Sequence, residues 1–300
     1  METNTASKKT TENDVYSIVT DRIIAHLENG KIPWQKPWHS SGLPRNLISK
    51  RPYRGMNMLL LAFADYEHNY FLTYKQLQEI GGKVKKDEKG HIVVFWKVDK
   101  PDENVPEVAS EEKQSKKKTI LRYYTVFNIA QCENIPERYI PSEREIFANP
   151  SCVHVVEGMP NAPVIQHKEN SAYYNPLKDF VNMPKQRTFK SDDAYYATLF
   201  HELVHSTGHR TRLNRKDIIE MSEFGSDSYS HEELVAEIGT CYLLSHTGIE
   251  SQFDNNTAYI QGWLNKLKND KRFIISAANN AQKAVDYILG QQHSDDSEAE

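Results

Sequence analysis

Two histidines four residues apart, His201 and His205, with a glutamate directly after the first, constrain this chain more than any other feature of it. The stretch before them, Asp192 to Phe200, has helical composition and opens on two acids, which suit the positive end of a helix dipole. On a helix, residues four apart share a face. Both imidazoles of His201-Glu202-Leu203-Val204-His205 can therefore reach one ion, while Glu202 projects beside an open coordination position. Gly208 is placed to end that helix. The pattern reads as a zinc site carrying its own catalytic base.

Such a site needs a third protein ligand. The segment His231-Glu232-Glu233-Leu234-Val235-Ala236-Glu237-Ile238 offers one: as a helix it puts Glu233 and Glu237 on one face, with Leu234, Val235 and Ile238 on the adjoining apolar side. Glu233 would bind the metal. Glu237, one turn on, would accept the free N–H of a ligating histidine and fix its tautomer. The segment resembles the glutamate helix of the gluzincins, the thermolysin-like zinc peptidases. His209 is the second candidate, although Gly208 turns the chain before it, and Asp217 and Asp227 lie in the intervening segment. The longer histidine motif of the metzincins is not matched. Two nitrogens and one oxygen favour Zn2+, with another divalent ion such as Mn2+ as the alternative.

A length of 300 residues suits two domains of ordinary size. Lys and Arg number 37 against 41 Asp and Glu, a mild net charge of −4, and no apolar run approaches the roughly 20 residues that cross a bilayer. No membrane partner is expected. Three cysteines without a Cys-x-x-Cys pair argue for a reducing compartment, so the expected location is cytoplasmic. Residues 1–13 read as a disordered leader and 291–300 as a disordered acidic tail. Between them lie a first domain at 14–141, a linker at 142–159 and a second domain at 160–290.

In the first domain, Val15, Ile18, Val19, Ile23 and Leu27 recur at helical spacing up to Gly30. Tyr53 to Asn69 and Thr73 to Ile80 look helical as well. His91–Val98 and Ile120–Phe127 are β-rich runs expected to pair antiparallel. Residues 100–118 between them carry dense mixed charge with almost nothing to bury and read as a mobile insert at a hairpin tip. In the second domain, Pro163–His167 and Asp179–Asn182 read as short strands, one of them the edge that could take an extended peptide. The motif helix and three further helices follow. The fold class is thus α+β, with a mixed helix and antiparallel-strand domain before a mainly helical one.

From Lys31 to Arg54 there are six basic side chains and no acid, interleaved with Trp34, Trp38 and Tyr53. Cations neutralise phosphates and flat rings stack on unpaired bases. Lys31, Trp34, Lys36, Trp38, Arg45, Arg51, Tyr53 and Arg54, with a second patch at Lys83, Lys85 and Lys86, are therefore candidate contacts to single-stranded DNA. Tryptophans that anchor a loop to the core would give the same composition.

Thr20-Asp21-Arg22-Ile23-Ile24, Pro33-Trp34-Gln35-Lys36-Pro37-Trp38, Arg51-Pro52-Tyr53-Arg54-Gly55-Met56-Asn57 and Thr125-Val126-Phe127-Asn128 resemble the N-terminal domain of ArdC-type antirestriction proteins. Tyr195-Tyr196-Ala197-Thr198-Leu199, the His-Glu-x-x-His run, Thr207-Gly208-His209 and Glu232 to Glu237 are similar to that family's zincin-like metallopeptidase domain. The resemblance covers nearly all of Asp14 to Leu289, and the charged insert is the departure from it. It implies a protein of a mobile element whose first half binds single-stranded DNA and which protects incoming DNA from restriction enzymes. Two function classes follow. One is a DNA-masking protein that uses its metal as a brace; the other is a DNA-associated zinc metallopeptidase with a protein substrate, Glu202 as its base, and Tyr229 or His231 as a donor to the developing oxyanion. A first half ending near Pro141 would fold and bind DNA by itself.

Overall fold

The computed structural model describes residues 12–30, 32, 43–62, 64, 66, 68–98, 119–140, 151–219, 227–249 and 257–291. The charged insert, the acidic tail, nearly all of the leader, and Lys31, Trp34, Lys36 and Trp38 lie outside them. Among the described residues no helix is long and apolar enough to cross a membrane.

The chain opens with α1 (Glu12–Glu28), whose Val15, Val19, Ile23 and Leu27 follow one another at four-residue spacing and are all buried. Gly30, at φ 71°, turns the chain away. Two-residue β1 (Arg45–Asn46) leads to α2 (Met56–Ala62), β2 (Tyr70–Thr73) and α3 (Tyr74–Glu79). The helix expected over Tyr53 to Asn69 is thus confined to its middle. Leu59 and Leu60 bury against the main core and Leu61 against a satellite cluster with Phe71 and Val126, so the short helix is wedged between two apolar surfaces. Thr73 caps α3 reciprocally with Gln76, a capping box. After β3 (Lys83–Val84) come β4 (His91–Val98), β5 (Thr119–Asn128) and β6 (Cys132–Glu133).

Strands β4 and β5 pair antiparallel, as their sequences suggested, from His91 opposite Val126 to Val98 opposite Thr119. The main sheet has the order β1-β2-β5-β4, with β1 parallel to β2 and the other pairs antiparallel. Its outer strand β4 is capped at one point by Asn57 of α2. The Asn57 amide donates to the Val94 carbonyl at 2.7 Å and accepts from the Val94 N–H at 2.6 Å.

Residues 152–157, expected to be linker, form α4 (Cys152–Glu157), because Ser151 caps it and Val155 and Met159 reach the main core. A three-stranded sheet follows: β7 (Val164–Gln166), β8 (Tyr173–Asn175) and β9 (Phe180–Asn182), in the order β7-β9-β8. Asp179–Asn182 is therefore the central strand, and the two edges belong to β7 and β8. Then come α5 (Asp192–Thr207), α6 (Lys216–Ile219), α7 (Asp227–Thr247), α8 (Thr257–Asn269) and α9 (Phe273–Ile288), one short helix more than the sequence suggested.

One apolar cluster runs through both halves, from Val15 of α1 through Val94 and Leu121 of the sheet to Leu234 of α7 and Ile288 of α9. Polar contacts cross the same boundary. The Tyr242 hydroxyl donates to the Gly55 carbonyl at 2.6 Å, the Gly55 N–H donates to Gln282 Oε1 at 2.8 Å, Thr20 donates to the Lys271 carbonyl at 2.7 Å, and Arg54 pairs with Asp286. An autonomous first half does not follow from this packing. A fragment ending at Pro141 loses part of the cover over α1 and α2, at about 1.5–3 kcal/mol for each fully uncovered large apolar side chain. In urea titrations followed by circular dichroism, the fragment should lack the sharp transition of the full chain; a cooperative transition would show the first half to be self-sufficient.

Candidate metal centre

Helix α5 starts at Ser191, whose hydroxyl accepts the Ala194 N–H, carries Asp192 and Asp193 in its first turn and ends at Gly208. The motif sits on its last two turns. His201 and His205 face one another with ring centroids 4.7 Å apart and Nε2 atoms 3.1 Å apart. Glu233 of α7 meets them from across the helix pair, Oε2 3.7 Å from His201 Nε2 and Oε1 3.6 Å from His205 Nε2. One donor atom from each of the three lies within 4.8 Å of the others, a spacing that one ion can bridge. Electrostatics favour positive charge there. Burial pulls the His201 ring down, but Glu233, Glu202 and Glu237 outweigh it and lift it to about 9. Glu233 is held below the ordinary carboxylate range because, against burial, the two imidazoles and the Tyr229 hydroxyl stabilise its charge. The donor set therefore fits a divalent cation.

The approach of α5 to α7 is set by a glycine. A Cβ on Gly239 would lie 2.9 and 3.0 Å from the two methyl carbons of Val204, so only a bare backbone lets the helices close to this distance. Around the turn, Glu232 is almost wholly buried and accepts the His205 Nδ1–H at 3.1 Å. Arg215 grips the same carboxylate at 2.9 and 2.5 Å and also reaches the Val204 carbonyl at 2.9 Å and Thr207 Oγ1 at 2.6 Å. Against burial, Arg215 and His205 hold Glu232 ionised, well below the usual range.

The role expected of Glu237 is thus filled by Glu232, which points towards the C-terminal turn of α5, where the His205 Nδ1–H emerges. Glu237 lies one turn further along, its Oε2 buried without a hydrogen-bond partner among the described residues, and burial pushes its carboxyl up. Glu232 and Arg215 carried no spacing signal, since Arg215 comes from the loop before α6. His209 stands outside the cluster: its Nδ1 contacts Thr211 at 2.8 Å and Asp179 at 3.8 Å. Asp217 binds His231 Nδ1 at 2.9 Å, and His231 Nε2 faces Ser276 Oγ at 3.2 Å, so Asp217, a lesser alternative for the third ligand, and His231, one of two donors considered for the oxyanion, are each engaged away from the cluster. Tyr229, the other oxyanion donor considered, bonds Glu233. Glu202 is buried on the same turn as His201. The three-stranded sheet is fastened to the end of α5 by Arg212, whose fully buried side chain pairs with Asp179 and donates to Tyr174 at 3.2 Å and to the Ser206 carbonyl at 2.7 Å.

The basic candidates of the first half are scattered by comparison. Arg51 and Lys86 are exposed, Arg45 is half-buried and donates to the Lys50 carbonyl at 3.2 Å, and Arg54 is committed to Asp286. Tyr53 packs edge-on against Phe71. Lys83 pairs with Glu133 at 2.9 Å, and Lys85 donates to the Ala130 carbonyl at 2.7 Å.

Residues 13–127 match the model of the N-terminal domain of the anti-restriction factor ArdC, and residues 160–280 match that of a zincin-like metallopeptidase. The crystal structure of the antirestriction ArdC protein from plasmid R388, metal-free, superposes with a TM-score of 0.75 at 39% identity, covering 93% of this chain and all (100%) of that one. The chain belongs to the ArdC antirestriction family. The Mn(II)-bound structure of R388 ArdC matches with a TM-score of 0.74 at 37% identity over 96% of this chain. Protein y4eC of Sinorhizobium fredii (strain NBRC 101917 / NGR234) is 34% identical over 94% of both chains. The DNA primase TraC of Escherichia coli is 32% identical over 91% of this chain, which spans 20% of the primase.

Two outcomes test this ArdC-family centre. Gly239→Ala should destabilise by about 1–3 kcal/mol through overpacking although alanine is the better helix former, and adding Val204→Ala should recover most of the loss in thermal melts. Glu232→Gln leaves Arg215 buried beside a neutral partner and should cost about 3–5 kcal/mol near neutrality. The carboxyl is depressed from 4.5 to about 2, so its contribution is complete above about 4.5 and lost as pH falls through about 2. The stability gap between wild type and Glu232→Gln in urea titrations should close over that window.

Proposed function

We propose that this chain is an antirestriction factor of a mobile element that binds single-stranded DNA with its first half and shields it from restriction enzymes by occupying the strand. The observation that carries this reading is the match, in order and over both halves, to ArdC from R388. The proposed DNA contacts are cationic side chains such as Arg51 and Lys86, with the basic aromatic segment from Lys31 to Tyr53. The place of action is the cytoplasm, where incoming strands meet nucleases. His201, His205 and Glu233 are proposed to hold one divalent ion, Zn2+ by the chemistry of two imidazoles and a carboxylate. Glu232 and Arg215 fix the His205 tautomer so that its Nε2 lone pair faces the ion.

A metallopeptidase reading is supported by one observation: Glu202, not itself in the ligand cluster, sits buried beside His201 where a proton acceptor is needed. A dication held there would supply Lewis acidity and lower the pKa of a water towards neutrality. Glu202 would then be the residue placed to take a proton and return it to a departing amine. Masking is the preferred reading, because phosphate neutralisation and stacking alone suffice to cover a strand.

Glu202→Gln separates the two. Under masking, the variant keeps metal content, fold and DNA affinity and protects DNA from restriction as well as wild type does. Protection lost with DNA affinity intact would establish proteolysis. Metal addition should raise the melting temperature of wild type, by the equivalent of about 2.7 kcal/mol when the free ion is a hundred times its dissociation constant, and should leave His201→Ala unmoved.

A further inference from the structure

The first half contains a surface that the basic loops do not account for. Strands β4 and β5 read HIVVFWKV and TILRYYTVFN, eighteen positions with no acid, five large aromatics and two cations, in a chain of net charge −4. The register sorts these residues onto two faces. On one, Ile92, Val94 and Leu121 are buried in the main core, and Trp96 is held edge-on by Tyr16 of α1. On the other, Val93 lies opposite Tyr124 and Phe95 opposite Arg122, with Lys97 one step further towards the tip. The base of that second face is filled by Phe71, Val93 and Val126. Towards the tip, the Phe95 and Tyr124 rings lie 5.6 Å apart, half-exposed, beside half-exposed Arg122 and exposed Lys97.

We infer that this face of the β4–β5 ribbon, carrying Phe95, Tyr124, Arg122 and Lys97, is a stacking platform for single-stranded DNA. The proposal deepens the DNA-binding reading given above and rests on it. Flat rings in register offer base-stacking surfaces that tolerate any sequence, and cations on the same face meet the phosphates. A polyanion with exposed π-faces is the occupant whose chemistry complements both features. None of the strand residues on this face is acidic, so the strands themselves offer no counter-charge to a basic protein surface. The ribbon is also stiffer than a loop, being bound along its full length to its neighbour strand and tied at Val94 by Asn57. Bases stacking on it would meet a preformed surface with little ordering cost.

The test is fluorescence anisotropy of the full chain with labelled oligo(dT) over a salt series, with thermal melts to verify folding. Phe95→Leu and Tyr124→Leu keep apolar bulk and remove the flat ring; each should weaken binding by about 5- to 100-fold, the range of one lost base stack. Lys97→Ala, at an exposed position, should lower the salt slope by about 0.7, the value for one phosphate contact on a single strand. Tyr123→Leu, on the opposite face, should stay within about twofold of wild type if stacking is confined to the proposed side. Unchanged affinity in folded Phe95→Leu and Tyr124→Leu, with an unchanged slope in Lys97→Ala, would overturn the platform while leaving DNA binding to the loops. A loss in Tyr123→Leu equal to that in Tyr124→Leu would overturn it as well, by showing a general effect on the ribbon. A wild type that fails to bind oligo(dT) at any salt would instead overturn the DNA-binding reading beneath it.

Discussion

The close contact between α5 and α7 is the constraint on which the rest of the structure depends. Val204 lies against the bare backbone of Gly239, and that proximity brings Glu233 within reach of two imidazoles carried on the other helix. Three ligands on two helices are only as well placed as the distance between the helices. A methyl group at one position is large enough to disturb it, because protein interiors are too densely packed to absorb the extra volume without a shift.

Charge is buried beside that contact at a cost that only complete pairing offsets. Glu232 and Arg215 are nearly inaccessible, and each spends its hydrogen-bonding capacity on the other, on His205 and on groups at the end of α5. Replacing such a network with apolar residues is often neutral for stability, whereas removing one member is severe. What the network achieves here is orientation: with Nδ1–H committed to Glu232, the other nitrogen of His205 is left to face His201 and Glu233. Arg212 does comparable work on the other side, clamping Asp179 and Tyr174 of the small sheet to the Ser206 carbonyl.

The two halves are joined by more than a linker. Helix α9 packs against α7 and α5 on one side and meets α2 on the other, where Asp286 holds Arg54 and Gln282 holds the Gly55 N–H. An ion bound at the α5–α7 pair stabilises only the folded chain. Because the core is shared, that stabilisation extends to the sheet carrying the ribbon. Under the proposed DNA-binding reading, a bound metal would thereby have a role that requires no bond to be cut.

The sequence alone determined what depends on local spacing. His201 and His205 had to share a helix face, Gly208 had to end that helix, β4 and β5 had to be strands, and the aligned motifs of both halves already carried the ArdC resemblance. Glu233 was the leading choice for the helix partner because carboxylates four apart mark one face. Tertiary structure decided everything that depends on which face meets which element. Glu232 rather than Glu237 holds His205, because the rotation of α7 about its axis turns the face of Glu232 and Gly239, two turns apart, onto α5, where Val204 meets Gly239 and Arg215, from outside the helix, grips Glu232. Arg54 looked like a phosphate contact until α9 brought Asp286 beside it. The ribbon's aromatics looked like ordinary strand residues until the register separated Phe95 and Tyr124, half-exposed on one face, from Trp96 and Tyr123, exposed on the face that buries Ile92, Val94 and Leu121. Spacing along a chain fixes directions within an element, whereas partners between elements are chosen by the packing of the whole core.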